Sequence, residues 1–209
     1  MSPSEVSKDK MTSSARRRCW GSNNPLMVAY HDHEWGVPVR DDRELFERLL
    51  LECFQAGLSW ETILNKRENF RKAFEGFDPR RVATYTDADR RRLLADAGIV
   101  RNRAKIDAAI GNAQAFLRVQ EAFGSFAAYV WRFVGGKPLR RVHPRGRMPA
   151  STAESDVFSK DLKQRGFRFV GSTIVYAFMQ SVGLVNDHQP PCWKAGPRLR
   201  TRASVGHGP

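Results

Sequence analysis

Apolar positions along the chain recur mostly three and four residues apart, a spacing that predicts helices. Asp41 or Asp42 can cap a helix through "RELFERLLLECFQA", which Gly57 ends. Ser59 can cap the next, "WETILNKRENFRKAF", where Trp60, Ile63, Leu64 and Phe70 fall at helical spacing. Asp78 followed by Pro79 is a cap with proline at the first helical position. Thr86 and Asp89 open "ADRRRLLADA", closed by Gly98. Longer helical patterns cover "NRAKIDAAIGNAQAFLRVQ" and "FAAYVWRFV". The segment from Gly135 to Pro149, rich in glycine and proline, predicts a loop. Beyond it, Ser151 and Glu154 have capping-box spacing before "AESDVFSKDLKQR". The β-branched residues of "STIVYAFMQSV" suit a strand, but its length and the alignment of Ile174, Ala177, Phe178 and Ser181 on one face favour a helix. The predicted class is all-α with short connections.

One position violates the pattern. Glu52 lies seven residues after Leu45 and three after Leu49, on the same stripe as those leucines. A carboxylate turned toward a core is costly unless it is paired or shifts its pKa.

With 209 residues the chain suits one domain. The tails 1–17 and 194–209 are expected to be disordered, flanking a folded body over residues 18–193. Of the formal net charge of +13, the first eighteen residues carry +3 and residues 194–209 carry +4, so the body keeps +6. A basic body fits a nucleic-acid partner. The N-terminal segment has no apolar run resembling a secretory signal. The longest uncharged stretch, Phe169 to Asn186, is interrupted by polar residues and reads as a buried helix, not a membrane span. Three cysteines argue for a reducing cytoplasm and against a disulfide framework.

Three groups of residues could carry chemistry. Cys19, His31, His188 and Cys192 are two thiolates and two imidazoles, a donor set suited to tetrahedral zinc. They bracket the body, in loop-like segments with no helix of their own, and four protein ligands leave a metal no open position. Such an ion would be structural. Cys53, beside Glu52, reads as a small core residue. Trp20, Tyr30, Trp35 and Trp60, gathered with Glu52, would suit a flat, cationic, hydrogen-bond-donating ligand. In "LKQRGFRFVGSTIVYAFMQ", Gly166 and Gly171 flank a turn between two helices, and Lys163, Arg165 and Arg168 add charge. Backbone N–H groups opening a helix there could hold a phosphate; a plain glycine-capped helical hairpin fits the pattern equally well.

The segments "YHDHEWGVP", "QAGLSW", "LNKRENFRKAF", "DAGIVRNRAKI", "RGFRFVGSTIVYAFMQ" and "GLVNDH" resemble, in order and without gaps, the bacterial 3-methyladenine DNA glycosylase I family, from about Arg18 to Trp193. The resemblance implies a helix-hairpin-helix DNA glycosylase fold and one structural zinc ion held by Cys19, His31, His188 and Cys192, tying the N- and C-terminal segments together. It implies a base pocket of Tyr30, Trp35, Glu52 and Trp60, with Glu52 the residue on which excision depends. Leu58 resembles the family's wedge into the DNA stack. The hairpin, through Gly166, Gly171, Lys163 and Arg168, resembles its hold on the DNA backbone. Met27 and Ala177 depart from the family's pattern, where tyrosine and serine are expected.

The implied activity is monofunctional release of 3-methyladenine from alkylated double-stranded DNA by hydrolysis, with no lyase step, in a cytoplasmic monomer. Asp187, the acidic residue nearest after the hairpin, adjoins His188 and is expected to support the zinc loop. Two other readings compete: a zinc-clipped DNA-binding module without turnover, and a hydrolytic zinc enzyme, which the closed ligand set disfavours.

Overall fold

The computed structural model describes residues 16–141, 143 and 148–195. Most of the two expected tails therefore lies outside the described residues. The chain divides into two compact units, one of residues 22–187 and one formed by the segments up to Gly21 and from His188 onward.

In the larger unit, local rules set most helix ends. Helix α1 (Pro25–His33) starts where the Asn24 side chain accepts the Leu26 N–H, with proline in its first turn. This corrects the expectation that His31 sits in a loop: the α1 segment mixes polar and aromatic residues without an apolar stripe, so its cap is the readable signal. Helix α2 (Asp42–Gln55) is capped by Asp41, whose side chain accepts the Glu44 N–H. Ser59 caps α3 (Trp60–Ala73) through the Thr62 N–H. After a 3₁₀ turn at Glu75–Phe77, Asp78 caps α4 (Pro79–Ala83), and Thr86 with Asp89 forms the capping box of α5 (Asp87–Ala95). This helix stops at Asp96, before Gly98.

Asn102 caps the long α6 (Arg103–Phe123), which ends at Gly124. The next pattern divides into α7 (Phe126–Trp131) and a 3₁₀ turn at Arg132–Val134. The expected loop contains β1 (Leu139–Arg140), paired in parallel with β2 (Val185–Asn186). This two-residue ladder is the described departure from an all-α fold. Helix α8 (Ala153–Gln164) is capped one residue later than expected, because Thr152 and Ser155 form the box. Helix α9 (Ser172–Ser181) is helical despite its β-branched residues.

Helix α2 is central and packs against α3, α6, α7 and α9. All ten residues from Leu45 to Phe54 are buried, including Glu47, Arg48 and Glu52. A helix enclosed on all sides has no solvent stripe, so its charged residues must find partners within the protein. Gly183, at φ +66°, follows α9 where the backbone of Val37 and Pro38 passes; a Cβ there would sit 2.3 Å from the Val37 carbonyl carbon.

In the smaller unit, the Trp193 N–H bonds to the Arg17 carbonyl at 3.0 Å, and the Arg16 guanidinium lies 4.7 Å from the Trp193 ring centroid. A short turn carries Cys192, whose N–H bonds to the Gln189 carbonyl at 2.8 Å.

Because Gly183 combines a left-handed backbone with a close main-chain approach, Gly183→Ala is expected to lower folding stability by about 2 kcal/mol or more in urea denaturation.

Candidate functional site

The larger unit brings Glu52, Tyr30 and Trp60 together. Tyr30 comes from α1 and Trp60 from the first turn of α3; their ring centroids lie 5.0 Å apart, tilted by 44°. Burial raises the Tyr30 hydroxyl pKa, and the Glu52 charge adds to this, which places the two side chains in one electrostatic neighbourhood. Glu52 is 3% exposed, and its Oε2 is buried with no hydrogen-bond partner among the described residues. The Trp60 Nε1 is likewise buried and has no hydrogen-bond partner among them. An acceptor and a donor without hydrogen-bond partners among the described residues thus accompany an aromatic pair.

Burial pushes the Glu52 carboxyl up to about 8, against the opposing effects of Arg48 and the Ser181 hydroxyl. At neutral pH the site without ligand therefore favours the protonated acid. Trp35 is buried too, and its ring stacks on the His31 imidazole at 6.3 Å and 24°.

Below this group lies a charged network that sequence reasoning missed. Glu34 is gripped by Arg67 through two hydrogen bonds, 2.6 and 3.0 Å, and by Arg48 at 2.6 Å. Burial alone would raise the Glu34 carboxyl; the Arg67 hydrogen bonds and the Arg48 charge outweigh it and hold it below its usual range. Arg48 also reaches Glu44 at 3.1 Å and lies 5.8 Å from the Tyr30 ring centroid. The signal available in sequence was the spacing of Arg48 and Glu52, one helical turn apart in an apolar run.

Leu58 is 40% exposed at the corner between α2 and α3, where Gly57 takes φ +77°. Lys163, in the last turn of α8, is exposed, as are Gly166 and Arg168 on the turn between α8 and α9, and Gly171 is half-buried. Arg165 is committed elsewhere: its Nε bonds to Asp161 at 2.6 Å, and its guanidinium lies over Phe123 and Tyr129. The backbone of Arg168 is held by the buried Asn112 amide, whose Oδ1 accepts the Arg168 N–H at 2.8 Å while its Nδ2 donates to the Arg168 carbonyl at 3.0 Å. Cys53 is indeed a buried core residue, and its thiol donates to the same carbonyl at 3.7 Å.

Asp187 is fully buried. Its carboxylate accepts from the Tyr176 hydroxyl and from Gln180 Nε2 at 2.8 Å, and lies 3.0 Å from His143 Nε2.

In the smaller unit, the Cys19 and Cys192 sulfurs each lie 3.4 Å from His188 Nδ1. That is close to the ~3.5 Å edge between sulfur and nitrogen ligands of a tetrahedral zinc. The Lys194 N–H donates to the Cys192 sulfur at 3.4 Å. Cys19, His188 and Cys192 thus gather as donors that could hold a metal ion, while His31 is fully buried in α1 of the larger unit.

A family model described as methyladenine glycosylase matches residues 20–195. The chain is 52% identical over 177 residues to DNA-3-methyladenine glycosylase 1 of Escherichia coli (strain K12), covering 84% of this chain and 95% of that protein. It is 45% identical to DNA-3-methyladenine glycosylase of Haemophilus influenzae, over 84% of this chain and 96% of the relative. A crystal structure of 3-methyladenine DNA glycosylase I superposes with a TM-score of 0.82 at 52% identity, covering 85% of this chain and 99% of the other. A Staphylococcus aureus 3-methyladenine DNA glycosylase I, solved to explain 3-methyladenine recognition, superposes at 0.80 with 39% identity, covering 85% and 95% of the two chains.

The raised Glu52 pKa has a definite consequence for stability. Between about pH 4.5, its ordinary value, and about pH 8, the folded state holds a proton that the unfolded state releases, so stability falls as pH rises through this window. Glu52→Gln removes that titration. The variant's stability relative to the native protein is expected to rise by roughly 2–4 kcal/mol from pH 4.5 to 8, measured by urea unfolding across pH.

Proposed function

Because the chain belongs to the methyladenine glycosylase family, we propose that it excises 3-methyladenine from alkylated double-stranded DNA, by base flipping and hydrolysis without a lyase step. The observation that carries this reading is the pairing of two unmet polar atoms, Glu52 Oε2 and Trp60 Nε1, with the Tyr30–Trp60 ring pair. The relatives' names supply the substrate.

Methylation at N3 places a positive charge on the purine and weakens its bond to C1′. The flipped base would lie against Trp60, with Tyr30 and Trp35 shaping the pocket, and its exocyclic amino group would donate to Glu52. The glycosidic electron pair leaves with the base, which departs neutral as 3-methyladenine. Water adds to C1′ and yields its proton to solvent, leaving an abasic sugar. Normal adenine lacks both the charge and the good leaving group, so discrimination is partly chemical.

Glu52 contributes through charge. In the pocket without ligand its burial favours the neutral acid; a cationic base supplies the counter-charge that favours carboxylate, so binding displaces the proton. Asp187 has both oxygens engaged by Tyr176, Gln180 and His143. That engagement supports a positioning role for it rather than activation of water.

The turn between α8 and α9 serves in this reading as the hairpin of a helix-hairpin-helix motif. Gly166 and Gly171 bring backbone N–H groups near a phosphate, while Lys163 and Arg168 add charge. Leu58, exposed at the α2–α3 corner, fills the gap left in the stack. We read the Cys/His group as one structural zinc site with His31 as fourth ligand. Bound zinc would supply cross-linking without an open coordination position, and this family membership leaves no reason to assign it hydrolysis. The protein would act as a cytoplasmic monomer; among the described residues no helix is long and apolar enough to cross a membrane.

Glu52→Ala is expected to slow release of 3-methyladenine from methylated duplex DNA by about 100-fold or more, in a single-turnover base-release assay on folded protein. Cys192→Ser is expected to lose stoichiometric zinc by elemental analysis. Its thermal midpoint should fall by at least ~5 °C, with residual folded protein retaining excision.

A further inference from the structure

Helix α6 touches both elements assigned to DNA, at two buried residues on one face. Near its start, Lys105 is 8% exposed, and its ammonium donates to the carbonyls of Phe54 at 2.8 Å and Ala56 at 2.6 Å. These are among the last carbonyls of α2, immediately before Gly57 and Leu58, where a helix end lacks internal partners and favours a cation. Two turns later, Asn112 is fully buried and bonds both the N–H and the carbonyl of Arg168, in the turn between α8 and α9.

Seven residues separate the two side chains, which places them on the same face about 10.5 Å apart along the axis. The corner and the turn are far apart in sequence, yet each is fastened by main-chain hydrogen bonds to one rigid helix. Phe169, within the turn, holds φ +55°, an uncommon left-handed backbone for a non-glycine residue. Such a conformation persists where surrounding bonds impose it, and the Asn112 clamp is next to it.

We propose that Lys105 and Asn112 are positioning residues for DNA: through α6 they fix the spacing between the Leu58 corner and the hairpin, so that one duplex meets both at once. This rests on the DNA roles assigned above. Neither residue need touch DNA. A duplex held at two points gains from their fixed separation, because engaging the first presents the second in register. A free base, which uses only the pocket, gains nothing from it. Loss of either clamp therefore weakens duplex engagement selectively.

The test compares Lys105→Met, Asn112→Asp and Lys105→Arg with the native protein. Asn112→Asp keeps the acceptor for the Arg168 N–H but replaces the donor facing the Arg168 carbonyl. Fluorescence titration with 3-methyladenine gives pocket affinity and counts competent sites, which corrects each variant for misfolded protein. Single-turnover excision against methylated duplex concentration gives the half-saturating DNA concentration. For Lys105→Met and Asn112→Asp that concentration should rise about tenfold or more, with free-base affinity within about twofold. Lys105→Arg, which can still donate to the α2 carbonyls, should recover most of the loss. Unchanged duplex saturation, or equal loss of duplex and free-base affinity, would overturn the proposal. If the native protein releases no 3-methyladenine, the functional reading fails instead. Duplex affinity measured by fluorescence anisotropy then decides the positioning role alone, with the same tenfold criterion.

Discussion

The burial of Glu52 in a helix enclosed on every side is the constraint around which the site is organised. A carboxyl group there cannot rely on water, and its Oε2 has no hydrogen-bond partner among the described residues. The chain meets this by letting the group hold a proton, with its pKa near 8. That state is stable but polar and incompletely bonded. In the proposed reading, a ligand bringing an amino group and positive charge would convert it into a paired carboxylate, and the cost of burying the acid would become selectivity for one kind of base.

The neighbouring charges keep this arrangement from collapsing into a simple ion pair. Arg48, one turn before Glu52, is turned to account by Glu34 and Glu44, and Glu34 in turn by Arg67. With its charge balanced by these carboxylates, Arg48 opposes the upward shift of Glu52 without cancelling it. A fully engaged Arg48–Glu52 bridge would leave the carboxylate satisfied and the pocket indifferent to a cationic base. The Tyr30 ring, between the two in electrostatic reach, belongs to the same balance.

Much of the fold was legible because helix ends follow local chemistry. The Asp41, Ser59, Asp78 and Thr86 caps lie where short-range rules put them. The cysteine and histidine donors stood out by type, and Glu52 by its conflict with the apolar stripe. What was not legible depends on partners distant in sequence. Lys105 reads as one more basic residue until the ends of α2 and α6 meet, and Asn112 as an ordinary polar residue in an alanine-rich helix. Helix α1 was hidden for a different reason: its sequence mixes polar and aromatic residues and carries no amphipathic periodicity. The β1–β2 ladder is two residues long on each side, too short to leave a pattern.

The account turns on exchange of a proton for a bound base at Glu52, and proton release on binding measures it most directly. Calorimetric titration with the permanently cationic 3,9-dimethyladeninium at pH 7, in buffers of different ionisation enthalpy, yields the protons released per base bound. Comparison with Glu52→Gln isolates the proton that this carboxyl contributes. The native protein should release a substantial fraction of a proton more than the variant, and the difference should vanish above about pH 9, beyond the carboxyl's own titration. Equal release by the two proteins at pH 7, with base binding intact in both, would contradict the central role given to Glu52.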